Sequence, residues 1–549
     1  AISNAALSLG NALLAQSKPE DAKTAYQQAA DSTTTTAASI TRVQAELNQL
    51  SVLSTNKRTQ EAQALWQNIK AELENLPPNQ QTVFARINLA QSLMQLKVAE
   101  NPSPQDIAQI LLVAIQQAKD LKDERAEAYA IGTLGTLYKQ SEQWVDAQKL
   151  SEQALIIAQT NRANDIIYRW QWQLAQLYKL RGERESNPEF YNKSLQLYAE
   201  TLKTLQSLRS DLAAVNTQAQ VSFQESVEPI HREFVSLLLD SKRGEVTSQD
   251  LEKARDVIES LQLAELDNFF REACLRATPT LVDQIDQQAA VIYPIILRDR
   301  LEVIVSLPKQ QLRHYATNIT QSELESVVSR LRGSLVLRIG KQYLPDMQKL
   351  YDWILRPVET DLAASNAKTV VFVLDGTLRN LPMAALHDGN QFLIEKYSVA
   401  LTPGLQLLDP RPLQERGLNV LTAALSESRQ GFSALPNVVN EVKEIQTAVP
   451  AKVLLNEAFT EAGFKQAITE RTSPIVHLAT HGKFSSNKDE TFVLTWNDRL
   501  NITTLNDLLQ ASELSQSGPI ELLVLSACET ATGDKQAALG MAGMAVRAG

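Results

Sequence analysis

A histidine and a cysteine stand at the ends of two apolar stretches of strand length in the last third of the chain. The first stretch begins at Ser473 and ends in Thr-His-Gly, with His481; the second begins at Glu521 and ends in Ala-Cys-Glu-Thr, with Cys528. If both are parallel strands of one open α/β sheet, their carboxyl ends lie at the same edge, where such sheets bind ligands. Because a thiolate attacks acyl carbon and an imidazole transfers protons near neutral pH, the pair predicts nucleophilic acyl-transfer chemistry.

Gly482, directly after His481, is a candidate for a supporting role. Glycine allows a close turn and its backbone N–H can stabilise an oxyanion, so Gly482 is a predicted oxyanion donor. On the residues alone, a buried strand-end cysteine with an unrelated histidine stays open as the alternative. His477, inside its strand, is interpreted as a core histidine.

Two acidic residues are candidates for a specificity pocket. Asp375 follows the apolar stretch 369–374, and Glu529 adjoins Cys528. Both are expected at the edge of the sheet that carries the pair, although a turn formed with Gly376 is the alternative role for Asp375. Because carboxylates bind guanidinium groups through charge-assisted hydrogen bonds, such a pocket would prefer a basic residue at P1.

Other classes of site find little support in the sequence. No phosphate-binding glycine motif follows a strand, and no G-x-S-x-G nucleophile elbow is present. Two cysteines and five histidines, none at zinc-ligand spacing, predict neither a metal nor any other cofactor. With 53 basic and 63 acidic residues, the net charge of −10 argues against nucleic acid or an anionic membrane as the main partner.

The first part of the chain has a helical pattern that contains a repeat. The pair Leu9-Gly10 is followed by Ala22, Tyr26 and Ala29, and the same offsets return after Gly135. The later copy and two weaker ones involve Leu134, Tyr138, Ala147 and Ala154, then Ala62, Trp66 and Ile69, then Leu174, Ala175 and Tyr178. These offsets are typical of the 34-residue tetratricopeptide repeat (TPR), in which small residues let two antiparallel helices approach. We predict a TPR-like solenoid whose groove binds a peptide or protein.

Four segments follow from the helical and strand patterns along the chain. They are TPR-like helical repeats (1–200), long connecting helices (201–276), a β-meander with helices (277–365) and an α/β core (366–549). Apolar runs without polar alternation, such as TVVFVL and ELLVLSA, are typical of parallel strands buried on both faces. The expected fold class is therefore α plus α/β, and Cys274, at the end of a helical block, is interpreted as buried.

The motifs HLATHG and LSACET, preceded by VLDGTLRNLPMAALHDGNQFLIEKYSVALTPGLQLL and ALPNVVNEVKEIQ, resemble the CHAT family of its cyanobacterial type. CHAT domains are caspase-like domains associated with TPRs, and the resemblance covers roughly residues 290–549, with most of the remainder as the companion TPR array. It implies a caspase-like, three-layer α/β fold of clan CD, with His481 and Cys528 as a catalytic dyad. Because the family pattern continues past AVRAG, the domain is expected to be C-terminally incomplete in this sequence.

The predicted function is a caspase-like cysteine endopeptidase that cleaves protein substrates and is recruited or regulated through its TPR array. The alternative is a non-catalytic TPR–CHAT scaffold for protein–protein interaction and signalling. The expected partners are a protein or peptide in the TPR groove and a protein substrate, without nucleic acid or membrane. Since the sequence opens with Ala1 instead of methionine, the location is left open, with the cytoplasm as the default expectation.

Overall fold

The computed structural model spans the chain in two compact units, residues 1–221 and 222–549. It describes all residues except positions 1, 17, 34–38, 57, 97–101, 215–226, 271–285, 338–339, 403–418, 471–472, 484, 486–489, 515–519 and 529–549. Two predicted positions, Cys274 and Glu529, lie outside the described residues, as does the side chain of Cys528. The first predicted boundary, at residue 200, falls inside a helix that continues to Ala214.

The described part of the first unit consists of helices packed as consecutive hairpins. They are α1 (Ile2–Ala15), α2 (Pro19–Asp31), α3 (Ser39–Thr55), α4 (Thr59–Glu74), α5 (Gln80–Gln95), α6 (Pro104–Asp120), α7 (Glu124–Gln140), α8 (Trp144–Thr160), α9 (Asn164–Glu185) and α10 (Pro188–Ala214). Each odd-numbered helix packs on the next even-numbered one, and short loops make the two antiparallel. The odd-numbered helices also contact one another in sequence order, so they form one layer of the solenoid.

The residues of the predicted repeat lie where paired helices approach most closely. Ala22 and Ala29 on α2 are fully buried, and Tyr26 between them packs against α1. A Cβ atom added at Gly10 would lie 2.4 Å from the ring of Tyr26, so this contact requires glycine. The hydroxyl of Tyr26 donates a hydrogen bond to Asn11, 2.9 Å away. The small and aromatic residues of the repeat therefore set the spacing of the helix pair, as the sequence pattern predicts.

Side-chain caps define where several of these helices begin. Asn79 and Thr82 form a reciprocal capping box at the start of α5, and Ser103 and Asp106 form another at the start of α6. Asp123 accepts a hydrogen bond from the first turn of α7. Each cap satisfies backbone N–H groups that have no partner within the helix, so the hairpin boundaries are encoded locally.

Gly132 on α7 provides a test of this close packing, because a Cβ atom there would lie 2.3 Å from the indole of Trp170 on α9. We expect Gly132→Ala to destabilise the α7–α9 contact by about 1–3 kcal/mol, since a packed aromatic core tolerates an added methyl group poorly. Hydrogen exchange of α7 and α9 amides measures this loss. The matched control is Gly333→Ala on the second unit, where nothing lies within 4 Å of the added atom. Unchanged protection of α7 and α9 in the Gly132 variant would contradict this packing.

The second unit begins with two helices, continues through a sheet and three helices, and ends in a second α/β layer. Its elements are α11 (Glu228–Leu238), α12 (Ser248–Phe270), β1 (Ala289–Ile296), β2 (Leu301–Ser306), β3 (Arg313–Thr317), α13 (Gln321–Leu337), α14 (Leu344–Ile354), α15 (Glu359–Ala364), β4 (Thr369–Val373), β5 (Ser398–Thr402), β6 (Val420–Ala424), α16 (Val438–Ala448), β7 (Ala451–Leu455), α17 (Glu461–Glu470), β8 (Ile475–Lys483), β9 (Phe492–Leu494), β10 (Arg499–Asn501), α18 (Ile502–Leu514) and β11 (Leu522–Cys528).

These strands form two sheets, although the apolar runs predict β4 and the later strands in one. The first sheet has the order β3-β2-β1-β4-β5, with β4 parallel to both β1 and β5. The predicted meander is therefore joined to β4, and the predicted boundary at 365/366 cuts through a sheet. The physical reason is that β1 is buried along its whole length and needs a neighbour on each side. Helices α13–α15 supply the long crossover that a parallel connection requires.

The second sheet holds the predicted site strands. Four of its strands are parallel, in the order β7-β6-β8-β11, and the hairpin β9–β10 continues from the end of β8. On one face, Val476 and Leu478 of β8 pack in a core with Phe464 of α17 and Leu505 of α18. On the other face, α16 packs over β6 and β8 through Val442. This is the α/β layer arrangement that the apolar strand pattern predicts.

Candidate active site

His481 and Cys528 are register partners in the parallel pairing of β8 with β11. Because neighbouring strands lie about 4.7–4.9 Å apart, the backbones of the two residues adjoin at the carboxyl end of the sheet. The pairing extends over seven residues, from Ile475 with Leu522 to this last pair, so the register does not depend on a single contact. The structure thus brings together the two residues that the sequence singled out from separate stretches.

Local sequence explains why His481 faces the same side of the sheet as α16. Side chains alternate along a strand, so Val476 and Leu478 point into the core under α17 and α18, while His477 and His481 share the opposite face. A one-residue slip of β8 would place two histidines in the apolar core, which fixes the register strongly.

The imidazole of His481 is buried, with 7% of its surface exposed, and has two identifiable neighbours. Its Nε2 lies 2.7 Å from the carbonyl oxygen of Ser433, and its ring lies beside that of Phe432, with centroids 5.0 Å apart. A carbonyl oxygen only accepts hydrogen bonds, so Nε2 carries the proton and donates it. In the neutral ring, Nδ1 is then the basic nitrogen. Sequence reasoning missed Ser433 because its contribution comes from the backbone, which leaves no signal in residue type.

Gly482 lies within β8 instead of forming the close turn expected after His481. Its register partner is Val493 on β9, and the strand continues to Lys483. The antiparallel hairpin extends β8 beyond the parallel pairing, which explains why no turn occurs at this position.

Asp375 follows β4 on the first sheet and therefore does not lie on the sheet that carries His481 and Cys528. Its carboxylate is 1% exposed and accepts two hydrogen bonds from Arg232, at 2.7 and 3.0 Å. A third comes from the backbone N–H of Ile296, at 2.9 Å. The specificity-pocket role predicted for Asp375 does not fit this arrangement, because its charge is already matched by Arg232. The alternative turn role agrees better, since Gly376 has a φ of 52°.

Arg232 is a residue that sequence reasoning missed, although it is one of few charged residues on the otherwise apolar helix α11. Burial alone would raise the pKa of Asp375, but the charge and hydrogen bonds of Arg232 outweigh it and hold that pKa below its ordinary value. Nearby, Arg379 pairs with Glu265 of α12 at 2.5 Å, and both side chains are buried. The two pairs link α11 and α12 to the turn after β4.

His477 agrees with its interpretation as a core histidine and has one partner. It is 4% exposed, and its Nε2 lies 3.1 Å from a carboxylate oxygen of Glu441 on α16. This contact joins the helix to the strand four residues before His481.

Neither a metal site nor a membrane span is found in the part of the chain that the structure describes. No group of three or more histidine, cysteine, aspartate or glutamate side chains there is placed to hold a metal ion. Likewise, no described helix is both long enough and apolar enough to cross a bilayer.

Residues 344–549 match the family model of the CHAT domain. This part of the chain is similar to a CHAT domain. The matched region begins at α14 and includes β4–β11, so it contains both His481 and Cys528. The first three strands of the unit precede the match and complete the sheet of β4 and β5.

Solved structures that are similar to the chain share low sequence identity with it. One is BtubC (BKLC) from P. vanneervenii, with 11% identity, a TM-score of 0.32, and coverage of 51% of this chain and 94% of that one. Another is a putative kinesin light chain with nearly identical TPR-like repeats from Podosopora anserina, with 17% identity, a TM-score of 0.30, and coverage of 36% and 96%. A thermophilic TPR protein from Thermus thermophilus has 17% identity, a TM-score of 0.28, and coverage of 43% and 100%. A search of curated proteins finds no match.

The buried pair predicts a large stability effect of Asp375→Asn. This variant leaves the buried Arg232 with only the partly exposed Glu228 as a counter-ion, at 2.8 Å, so we expect a loss of about 3 kcal/mol in unfolding free energy, the lower end of the range for a broken buried pair. Urea unfolding measures it, with hydrogen exchange of β1 and β4 assigning the change to this unit. As a control, Glu323→Gln removes an exposed ion pair with Lys349 and should cost less than about 1 kcal/mol. Equal effects of the two variants would refute the importance of burial.

The stability difference between the wild-type protein and Asp375→Asn should depend on pH with a definite sign. Because the pKa of Asp375 is lowered in the folded state, its carboxylate stabilises the fold at neutral pH. The stability difference between the wild-type protein and Asp375→Asn should therefore be constant above the ordinary pKa of 3.8 and shrink as the pH falls below it. A difference that instead grows on acidification would exclude a depressed pKa.

Proposed function

We propose that the protein is a cysteine endopeptidase in which Cys528 is the nucleophile and His481 is the general base. The observation that carries this proposal is the register pairing of these two residues at the carboxyl end of β8 and β11. It is supported by the CHAT domain match, since CHAT domains are caspase-like in general. The histidine about 50 residues before the cysteine is also the caspase order of the two residues.

The surroundings of His481 fit a proton acceptor in this reaction. With the proton of Nε2 held by Ser433, Nδ1 accepts the thiol proton of Cys528, and the thiolate attacks the carbonyl carbon of the scissile peptide. The oxyanion of the tetrahedral intermediate is stabilised by backbone N–H groups, for which Gly482 is the proposed donor. As the C–N bond breaks, the imidazolium returns its proton to the leaving nitrogen. Water then releases the acyl group from sulfur, with the imidazole again accepting a proton.

The solenoid is proposed to recruit a protein or peptide and thereby to deliver or control the substrate. Its layer of odd-numbered helices carries a series of aromatic rings, Phe84, Tyr129 and Trp170, whose successive centroids lie 6.0 and 5.9 Å apart. The guanidinium of Arg169, an exposed residue, lies 5.9 Å from the ring of Tyr129. Trp170 is buried, whereas Phe84 and Tyr129 are half-buried and Arg169 is exposed. Partly exposed aromatic and arginine side chains are typical of protein-binding sites.

The reactivity of Cys528 tests the proposed dyad. A thiol beside a base forms more thiolate at neutral pH, so iodoacetamide should modify Cys528 faster than Cys274, with rates read from peptide maps. We expect His481→Gln to slow the alkylation of Cys528 at pH 7 by about tenfold or more, a part of what a positioned base contributes. The matched control is His477→Gln, which removes a histidine from the same face of β8 and should leave this rate near that of the wild-type protein.

The peptidase activity itself is tested with a mixed peptide library on the full chain. Cleavage that disappears in Cys528→Ala supports the proposal. If instead Cys274 reacts faster, or His481→Gln leaves the rate at Cys528 unchanged, the dyad is wrong. The non-catalytic scaffold would then be the better account of the CHAT domain.

A further inference from the structure

The loop between β6 and α16, residues 425–437, carries both groups that contact the imidazole of His481. Phe432 lies against the ring, and the carbonyl oxygen of Ser433 accepts the hydrogen bond from Nε2. Ser433 itself is exposed, so burial does not hold its carbonyl in place. A loop of this length gains conformational entropy when it is released, and only specific contacts oppose that gain. What fixes the loop therefore decides how His481 is oriented.

The first fixed point is at the base of the loop, where Asn456 follows β7. Its side-chain oxygen accepts a hydrogen bond from the backbone N–H of Ser426 at 2.9 Å, and its amide nitrogen donates to the hydroxyl of Ser426 at 3.0 Å. Asn456 has a φ of 52°, in the left-handed region that asparagine tolerates better than most residues. The carbonyl oxygen of Ser426 in turn accepts a hydrogen bond from the N–H of Leu435 at 2.9 Å, which closes the loop.

The second fixed point is at the tip of the loop, where Arg429 and Phe432 form a tight turn with two backbone hydrogen bonds, at 2.8 and 3.2 Å. The guanidinium of Arg429 lies against Trp496, 3.3 Å from the ring centroid. Because Arg429 and Phe432 are bridge partners, the arginine that packs on Trp496 and the phenylalanine that packs on His481 are held side by side.

Both fixed points of the loop are connected through the backbone of Phe459. The carbonyl of Asn456 accepts a hydrogen bond from the N–H of Phe459, and the carbonyl of Phe459 accepts one from the N–H of Trp496, each at 2.8 Å. Phe459 is fully buried in the core of the second sheet. The base and the tip of the loop are thus both connected to the buried core of the second sheet.

We propose that Asn456 and Arg429 are positioning residues, which hold the β6–α16 loop so that the carbonyl of Ser433 keeps the proton of His481 on Nε2 and leaves Nδ1 as the base. The inference deepens the proposed function and rests on it. Neither residue touches the reacting atoms. Their role is to choose the tautomer and the orientation of the imidazole, as a hydrogen-bonded neighbour does for catalytic histidines in general.

Two variants of the full chain test the two fixed points separately. Asn456→Gly removes the side-chain contacts while permitting the left-handed backbone, and Arg429→Ala removes the contact with Trp496. In both variants we expect the alkylation of Cys528 at pH 7 to slow by about tenfold, which is a fraction of the ~10²–10⁴-fold that a positioned base contributes. We also expect the pH profile of the alkylation rate to shift. Nitrogen-15 spectra of the five histidine rings, with His481 assigned by its absence in His481→Gln, should show loss of the single Nε2–H tautomer.

Matched and conservative variants separate this role from general loss of stability. Asn79→Ala removes a side-chain cap of α5 in the first unit, and Lys349→Gln removes a cation that lies 4.7 Å from the ring of Trp353 on α14. Both alter the same kinds of contact away from the loop and should leave the rate and the tautomer unchanged. Trp496→Phe keeps a ring for Arg429 and should retain most of the wild-type rate, whereas Trp496→Leu should not. Circular dichroism establishes that each variant folds.

The outcomes distinguish this inference from the proposed function. If His481→Gln slows alkylation in the wild-type background but Asn456→Gly and Arg429→Ala behave like the two controls, the positioning role is refuted and the dyad stands. If His481→Gln has no effect on alkylation, the dyad is refuted and the positioning role fails with it. An Nε2–H tautomer that persists in both loop variants overturns the inference whatever the alkylation rates are.

Discussion

Parallel pairing of β8 with β11 determines where the proposed dyad lies. Hydrogen bonding along seven residues of each strand sets the register, and the register ends with His481 opposite Cys528. The apolar side chains of β8 under α17 and α18 make any other register costly, because a shift by one residue would exchange buried valine and leucine for histidine. The proposed dyad is therefore a consequence of core packing, which fixes its position before any interaction between the two residues themselves.

The rest of the second unit supports this edge through polar contacts at the ends of strands. In the second sheet, the loop after β6 meets His481, and Asn456 and Trp496 hold that loop against a buried frame. In the first sheet, Asp375 after β4 is matched by Arg232 from α11. At the carboxyl ends of the strands the chain leaves the sheet, so backbone and side-chain groups there can contact loops and helices. Both sheets carry their polar networks at these ends for this reason. One network surrounds the imidazole of His481, and the other fixes helices to a sheet.

Sequence patterns predicted well which segments form helices and strands. They predicted poorly which of these elements pack together. The repeat of small and aromatic residues predicted the helix pairs around Tyr26, and the uninterrupted apolar runs predicted parallel strands with helices between them. The division of the strands between two sheets was not predicted, because β4 and β6 look alike as apolar runs and only their neighbours differ. The pocket role of Asp375 failed for the same reason, since its partner Arg232 lies on a helix far upstream and no local pattern connects the two.

The sequence by itself determined the helical repeat, the apolar strands and the identity of the two residues that could form a dyad. These features depend on residue type and short-range spacing, which periodicity and motifs record directly. Only the tertiary structure decided which strands are neighbours, that the carboxylate of Asp375 is paired with an arginine, and which backbone carbonyl accepts a hydrogen bond from His481. Those contacts join residues far apart in the chain, and one of them, at Ser433, is made by a backbone atom that every residue possesses. Long-range pairing and backbone geometry therefore decided the orientation of the site, while local sequence supplied its chemistry.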